Sequence, residues 1–471
     1  MSESKSKYQN LAINSLIFLI SSFGSKILSI IFIRFYTSVL SPEEYGMTDL
    51  VFNTSSLLVY VVAIEISSAV LRFVMDDKAH QKEIFAFGVR VSLIGCLIFG
   101  VTLLAFAYVN VINWAWYYYL FLYCSVVVNV MYRLITSYFR GMDYIKQVAI
   151  SGVIVTAATI GSNLLFLLVF KWGVVGYMLS NILGLVVASM YCFNIASQKE
   201  ILSFSCICKS ELRKKMLCYS TPLIFNGIAW WINSSIDRYF ITAIDGVYSN
   251  GIYAAASKIP VIMITLQTIF SEAWSLSAIK EFDEEDKDGF FGNILGVYVA
   301  FSVILGGGLI LFNEIIATIL FATDYREASA YSTVLIVATI FNGISGFIGS
   351  IFSAINKTSF YAVSTVIAAI FNLVLNWILI PDFGVMGASI ATLVSFAVVA
   401  LVRFIYASKF ISWKVNKVRD LFAYALLALQ LVINGFNDHN YLIQLIIVSI
   451  YILLYRKELS KLIKKMQTKM R

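Results

Sequence analysis

The chain has 471 residues, of which 60% are hydrophobic and 13% are charged, and its formal net charge is +8. Soluble domains contain about 45–50% apolar and about 25% charged residues, so this composition excludes a soluble enzyme or binding domain. Apolar runs of about 20 residues recur along the sequence, and a helix of that length crosses a ~30 Å hydrocarbon core. The sequence therefore predicts an all-α polytopic membrane protein.

About 14 transmembrane helices are predicted in chain order, with short polar segments between them. The spans lie near residues 10–36, 46–72, 84–109, 113–139, 145–170, 173–195, 216–241, 250–277, 290–313, 328–354, 359–380, 384–407, 420–434 and 440–455. The last two are short and flank a segment with Gly435, Asn437 and Asp438, so twelve spans followed by a terminal hairpin is the alternative interpretation.

The basic residues outside these spans are distributed asymmetrically. One set of alternate loops and both tails together hold 25 of the 35 Lys and Arg residues, whereas the other loops hold only Lys171 and Arg326. Because cytoplasmic loops carry the excess of Lys and Arg, both termini are predicted to be cytoplasmic. The basic C-terminal tail is expected to contact anionic lipid head groups, and we expect no nucleic-acid partner.

Two long segments of the sequence resemble each other. One begins YFRGMDYIKQVAISG at Tyr138 and the other IFSAINKTSFYAVST at Ile351, so that Ser151 matches Ser364. The repeat predicts two six-helix lobes in parallel orientation, and such lobes bind substrate between them, which favours a transporter. The predicted domains are an N-terminal lobe (1–200), a C-terminal lobe (210–408), an additional helical hairpin (420–455) and a basic cytoplasmic tail (456–471).

Eight basic residues lie inside the predicted spans, where a charge costs roughly 2.5–3.5 kcal/mol even on insertion scales. They are Lys26, Arg34, Arg72, Arg90, Arg133, Arg238, Lys258 and Arg403. Arg72, Arg133 and Arg403 lie near predicted cytoplasmic ends, so their long side chains are expected to reach the lipid head groups. Lys26 and Lys258 lie too deep for this, and each is expected to face a cavity or to pair with an acid such as Glu65.

Polar side chains recur at helical spacing in the first, second, seventh and eighth spans, which occupy equivalent positions in the two lobes. In the seventh span they are Asn226, Trp230, Asn233 and Asp237. We expect these polar faces to meet across a water-filled cleft. Since basic residues outnumber acidic ones inside the spans, the cleft is expected to bind an anion, and Arg and Lys side chains suit phosphate oxygens.

The candidate site consists of basic residues that would bind the anion and acids that would couple transport to an ion or pair with a base. The candidate anion ligands are Lys26, Arg34, Arg238 and Lys258, and the candidate acids are Glu65 and Asp237. Arg34 and the Asp237–Arg238 pair lie near predicted outer ends, so interface anchoring or mutual neutralisation is the alternative interpretation.

Other polar and helix-bending residues have simpler interpretations. Pro222 and Pro260 each remove a backbone hydrogen bond and predict either a hinge or a static bend. Asn376 is interpreted as a helix-packing residue. Cys206 and Cys208 form a CxC motif without a nearby histidine, so we expect no metal site and no cofactor.

Four short motifs agree with one known family of membrane proteins. They are LSPEEYG (40–46), YFRGMDY (138–144), the Asp237–Arg238 pair and NGIYAAASKIP (250–260). With these motifs the chain resembles, over essentially its whole length, the polysaccharide biosynthesis flippases of the multidrug/oligosaccharidyl-lipid/polysaccharide exporter superfamily. The resemblance implies a translocase that moves undecaprenyl-diphosphate-linked oligosaccharide repeat units across the bacterial inner membrane for O-antigen, capsule or exopolysaccharide assembly.

The resemblance also implies a mechanism and partners. The mechanism would be alternating access, biased by an ion gradient or the membrane potential. The four basic candidates would bind the diphosphate, as cationic cavity residues do in the related lipid-linked peptidoglycan precursor flippases. A groove at residues 420–455 would take the lipid tail. The implied partners are the lipid-linked oligosaccharide, membrane lipids, and a polysaccharide polymerase and chain-length regulator of the same pathway.

Alternative functions stay open at this point. A drug/cation antiporter of the same superfamily would need acids at cavity depth, whereas the first span offers Lys26 and Arg34. A membrane polysaccharide polymerase or glycosyltransferase would need a large loop or a catalytic domain, and no gap between predicted spans exceeds roughly 20 residues. A flippase for the peptidoglycan precursor itself looks less like this chain. We therefore expect a transporter and not an enzyme.

Overall fold

The computed structural model describes residues 30–109, 114–201, 206, 208–280, 290–355, 358–411, 413, 415–435, 440–458 and 460. All regular elements within these ranges are helices. The chain divides into two compact units, residues 1–235 and 236–471, and the division falls inside one long helix. The lobe boundaries predicted from the internal repeat stay a prediction.

The first unit is built from helices that follow one another with short connections. They are α1 (Ile33–Val39), α2 (Pro42–Val62), α3 (Ile66–Asp76), α4 (Gln81–Val109), α5 (Trp116–Gly141), α6 (Ile145–Asn163), α7 (Gly173–Gln198) and the first part of α8 (Ser210–Asp245). A π-helical segment, Leu164–Val169, continues α6.

The second unit begins with the end of α8. It continues with α9 (Val247–Ala256), α10 (Pro260–Lys280), α11 (Phe290–Leu311), α12 (Asn313–Leu320), α13 (Ala328–Ala354), α14 (Thr358–Ala407), α15 (Lys417–Gly435) and α16 (Tyr441–Leu454). A short 3-10 turn, Thr323–Tyr325, precedes α13. The long helix α14 joins the predicted eleventh and twelfth spans across a kink at Gly384, whose φ of +52° suits a residue without a Cβ.

The helices agree with the predicted membrane spans. Each span from the second onward overlaps helical residues, and the first lies mostly outside the described ranges. Seven described helices are long and apolar enough to cross a membrane, or up to nine if two bent pairs each count as one span. The bent pairs are α2 with α3, at 53°, and α9 with α10, at 48°. The all-helical polytopic fold is confirmed, whereas the count of fourteen spans and the internal repeat stay predictions.

One face of α4 shows how the first unit meets its surroundings. Leu97, Val101 and Leu104 are 68%, 64% and 73% exposed, and they recur at helical spacing. An apolar surface of this extent is costly in water and is suited to lipid. The exposed face of α4 is therefore a lipid-facing surface.

The LSPEEYG motif sets the point at which α2 begins. The Ser41 hydroxyl accepts a hydrogen bond from the Glu44 N–H at 3.2 Å, and the Glu44 carboxylate accepts one from the Ser41 N–H at 2.9 Å. Pro42 follows at the first helical position, where a backbone N–H has no partner within the helix. This capping box satisfies two backbone donors and fixes the start of the helix.

A close contact between α4 and the end of α2 can be tested with one methyl group. A Cβ on Gly95 would lie 1.9 Å from the carbonyl oxygen of Val62, and backbone atoms cannot turn aside as a side chain does. We expect Gly95→Ala to destabilise the protein by about 1–3 kcal/mol, measured as a lower apparent Tm in detergent. Gly161→Ala is the matched control, because a Cβ there has no neighbouring atom within 4 Å. Equal Tm values for both variants would contradict the contact.

Candidate functional site

Asp237, near the end of α8, is a buried carboxylate that is only 4% exposed. It accepts hydrogen bonds from the Tyr253 hydroxyl at 2.9 Å, from Thr392 Oγ1 at 2.7 Å and from Asn376 Nδ2 at 2.5 Å. Asn376 Nδ2 also donates to Asn372 Oδ1 at 3.0 Å. These five residues form the Asp237 cluster, which joins α8, α9 and α14 within the second unit.

The kink in α14 makes this cluster possible. Asn376 precedes Gly384 and Thr392 follows it, yet both side chains donate to one carboxylate. In a straight helix these two residues would be about 24 Å apart along the axis. The positive φ of Gly384 therefore brings distant parts of α14 to the same site.

The Asp237 cluster offers oxygen atoms to a small cation. The Oδ1 atom of Asn376 is buried and has no hydrogen-bond partner in the described part of the chain. Carboxylate, amide and hydroxyl oxygens are the ligands that hard cations prefer, and buried acids in membrane proteins mark ion pathways. Asn376 thus joins α14 to α8 by a hydrogen bond, as expected of a helix-packing residue, and also leaves one acceptor oxygen in the cluster.

The two basic candidates of the second unit lie close to this cluster in the chain. Arg238 is half-buried, and its guanidinium carbon lies 5.7 Å from the centre of the Tyr253 ring. Lys258 lies in the break between α9 and α10, half-buried, and its ammonium makes no hydrogen bond or ion pair with other described residues. Tyr253 therefore contacts both neighbours: its hydroxyl donates to the Asp237 carboxylate and its ring lies near the Arg238 guanidinium. Lys258 lies at the break between two helices.

The two prolines have different surroundings. Pro260 starts α10, directly after the 48° bend, so it does not interrupt a helix. Pro222 lies inside α8, which continues through it. A bend is present at Pro260, and the hinge function of either proline stays a prediction.

Glu65 occupies the break between α2 and α3 in the first unit. It is 5% exposed and its φ is +49°, a left-handed conformation that is rare outside glycine. Its Oε1 accepts hydrogen bonds from Arg133 Nη2 at 2.6 Å and from Ser68 Oγ at 2.7 Å. The Arg133 guanidinium also lies over the Tyr60 ring, 4.6 Å from its centre. Arg133 is thus the partner of Glu65, and the prediction that Arg133 extends to the lipid head groups is wrong.

Arg403 is a second exception to that prediction. It is only 4% exposed, and its guanidinium donates to Ser364 Oγ, the Ser345 carbonyl and Thr365 Oγ1, each at 2.9 Å. The acceptor oxygens belong to α13 and to the first part of α14, which pack against the helical segment that carries Arg403. The sequence of that segment alone does not indicate them. Arg403 therefore binds neutral oxygens inside the unit and not lipid head groups.

The remaining cationic candidates belong to the first unit. Arg34 is exposed on α1. Lys26 lies outside the described residues. Their assignment to an anion site therefore stays a prediction from position and charge.

α2 and α8 touch each other directly, through Asn53 of the predicted polar face of α2 and through α8 residues outside the predicted polar face. Trp231 Nε1 donates to the Asn53 carbonyl at 2.9 Å, and Ser235 Oγ donates to Asn53 Oδ1 at 3.1 Å. Trp230, which the sequence placed on the polar face, is 63% exposed. At Asn53 the two helices pack against each other, and the water-filled cleft between the predicted polar faces stays a prediction.

A cavity of about 440 Å³ in the second unit has an apolar lining. It lies among α11, α13, the second part of α14 and the start of α15, with Val299, Phe341, Leu401 and Tyr424 among its walls. Lys417 and Asp420 are the charged residues in its described lining. The groove predicted at residues 420–455 contains α15 and α16. Residues of α15 line this cavity, whereas none of the cavity's described lining residues belongs to α16.

Sequence comparison places these features in a family. A profile of polysaccharide biosynthesis proteins matches residues 11–274, which is more than half of the chain. The chain belongs to the polysaccharide biosynthesis protein family. The probable low-salt glycan biosynthesis flippase Agl15 of Haloferax volcanii is 29% identical to this family member over 204 residues, 41% of this chain and 43% of that protein. The match thus spans less than half the length of that relative.

Solved structures show how far this family member shares a known fold. An inward-facing multidrug resistance MATE family transporter of the MOP superfamily aligns with a TM-score of 0.69 and 16% identity, over 82% of this chain and 94% of that chain. The lipid II flippase MurJ, in an inward closed conformation, aligns with a TM-score of 0.68 and 17% identity, over 96% and 99%. The polysaccharide biosynthesis protein therefore has the fold of these transporters.

Proposed function

We propose that this protein is a flippase that moves undecaprenyl-diphosphate-linked oligosaccharide repeat units from the cytoplasmic to the outer leaflet of the bacterial inner membrane. The family match and the transporter fold support this proposal. The observation that carries the choice of substrate is the 440 Å³ apolar cavity with Lys417 in its lining. Its walls suit a polyprenyl chain. The Asp420 carboxylate in the lining is paired with Arg419 at 2.9 Å, so Lys417 is the lining charge that suits the phosphates attached to that chain.

The basic candidates would hold the diphosphate during alternating access. Lys26 and Arg34 act from the first predicted span, and Arg238 and Lys258 act from the second unit. Lys258 supports this assignment because it is a half-buried cation without a partner among the described residues. A diphosphate, which carries two negative charges, pairs well with Arg forks and Lys ammonium groups.

Asp237 is the proposed coupling acid. A proton or a monovalent cation in the Asp237 cluster would neutralise the carboxylate that lies beside Arg238 and Tyr253. Arg238 would then attract the diphosphate more strongly, since an adjacent negative charge competes with an anionic ligand. Glu65 is already paired with Arg133, so its proposed role is structural.

A drug/cation antiporter is the second candidate function, because the MATE fold likeness favours it. The deciding experiment deletes the gene and locates the lipid-linked glycan. A flippase predicts that unpolymerised units accumulate on the cytoplasmic leaflet, where a polymerase and a chain-length regulator cannot use them. Normal surface glycan combined with lost drug resistance would contradict the flippase and support the antiporter.

A substitution can fill the apolar cavity while Lys417 and Asp420 stay unchanged. We expect Ala397→Trp, in the cavity wall, to reduce translocation about tenfold, because the indole occupies space proposed for the polyprenyl chain. Tenfold corresponds to ~1.4 kcal/mol of lost binding. Translocation in proteoliposomes and apparent Tm are measured together. Ala105→Trp on the exposed face of α4 is the control. Full activity of a folded Ala397→Trp protein would remove the cavity from the mechanism.

A further inference from the structure

A second, polar cavity of about 80 Å³ lies in the second unit, apart from the apolar one. The ends of α11 and α15 meet the starts of α12, α13 and α16 around it. The polar residues in its lining include Glu314, Ser329, Thr333, Asn434 and Gln444. The distribution of basic residues predicts that all these helix ends lie on the outer side of the membrane.

Two amide groups in this lining are donors without acceptors. Gln444 is only 3% exposed; its Oε1 accepts a hydrogen bond from Gln430 Nε2 at 2.7 Å, while its Nε2 has no partner in the described residues. The Nδ2 of Asn434 is likewise buried and unpartnered within the described part of the chain. Buried donors are costly unless an acceptor reaches them, so the cavity is suited to a ligand with acceptor oxygens.

The charge of the cavity lining restricts which chemical group of a ligand can supply the acceptor oxygen. Glu314 contributes a carboxylate, which accepts a hydrogen bond from the Tyr441 hydroxyl at 3.1 Å, and none of the described lining residues is basic. A phosphate or carboxylate ligand would be repelled by Glu314. A hydroxyl group satisfies both kinds of partner, because it accepts from an amide and donates to a carboxylate.

The size of the cavity restricts the ligand further. One water molecule needs a cavity volume of roughly 10–15 Å³. A cavity of about 80 Å³ therefore admits a chemical group that carries several hydroxyls. Neutral sugars have closely spaced hydroxyls of this kind. The lining therefore matches a neutral saccharide better than a single water or an anion.

We propose that this cavity binds one neutral saccharide residue of a glycan on the outer side of the membrane. The inference rests on the proposed function, since it makes the cavity an exit-side contact for the sugars of the flipped unit. Asn434 and Gln444 donate to the sugar hydroxyls, and Glu314 accepts from them.

Saturation-transfer NMR on the full-length protein in nanodiscs tests the proposal, with free glucose, galactose and N-acetylglucosamine as probes and inorganic phosphate as a counter-probe. At least one sugar is expected to bind the wild-type protein. Asn434→Leu removes an unpartnered donor at similar side-chain volume, so we expect about tenfold weaker binding with an unchanged apparent Tm in the absence of sugar. Glu314→Gln is expected to weaken binding as well. Ser449→Ala, an exposed position on α16, is the control.

Three results would overturn the site: no sugar signal from the wild type, equal sugar affinity in the wild type and Asn434→Leu, or binding of phosphate in place of sugar. The assay measures binding and needs no transport. Failure of the proposed function would instead appear as an unchanged leaflet distribution of the lipid-linked glycan after gene deletion.

Discussion

Asp237→Asn is expected to reduce translocation of the lipid-linked glycan by about a hundredfold. The substitution keeps the shape of the side chain but removes the charge that would hold the coupling ion. It also replaces one acceptor oxygen by an amide donor that faces the hydroxyls of Tyr253 and Thr392 or the amide of Asn376. Hydrogen bonds to a charged group contribute about 1.5–3 kcal/mol each, and ~3 kcal/mol corresponds to about a hundredfold.

Proteoliposomes with purified variants measure this effect as the rate of glycan translocation at several pH values and Na⁺ concentrations. The wild-type rate should depend on at least one of the two ions, and the residual Asp237→Asn rate on neither. Asp382→Asn removes an exposed carboxylate from α14 and serves as the matched control. A wild-type rate in Asp237→Asn would show that the cluster is structural and not coupled to transport.

Arg133→Leu is expected to lower the stability of the first unit strongly. The Glu65 carboxylate would stay buried at the α2–α3 break, with the Ser68 hydroxyl as its remaining side-chain donor among the residues that the structure describes. We expect a loss of about 3 kcal/mol or more, which corresponds to a fall of about 6–12 °C in apparent Tm for a unit of this size.

The reverse substitution should be milder. Glu65→Leu leaves Arg133, whose side chain is 35% exposed and still lies over the Tyr60 ring. We expect about half the fall in Tm, and the double variant should recover most of the stability because both charges are gone. Fluorescence-detected size exclusion after heating measures the three variants against the wild type. Additive falls in the double variant would show that the two residues do not stabilise each other.

Local sequence patterns were sufficient to predict the helices. The apolar runs from residue 46 onward overlap helices. The Ser41–Glu44 capping box that starts α2 was not identified from the sequence, although its S-x-x-E pattern is a local signal. Both features depend on residues within one or two helical turns, so one sequence contains all the information that they need. The same holds for the bend at Pro260, because proline acts on its own backbone.

The partners of the polar residues were predicted poorly. Asp237 and Arg238 were identified as candidates, but Tyr253 and Thr392 were not, and Asn376 was assigned to packing. The four-residue spacing of Asn372 and Asn376 signals a polar helix face, yet it does not show which acid that face meets. That meeting depends on the kink at Gly384, which brings the two parts of α14 to one carboxylate.

The sequence by itself determined that this protein is helical, that its helices are apolar enough for a membrane, and which family it resembles. Only the tertiary structure decided that Arg133 pairs with Glu65, that Arg403 is buried among neutral oxygens, and that the second unit contains an apolar and a polar cavity. The physical reason is range: hydrophobic periodicity and capping act along one helix, whereas a buried charge is satisfied by whichever helix packs against it.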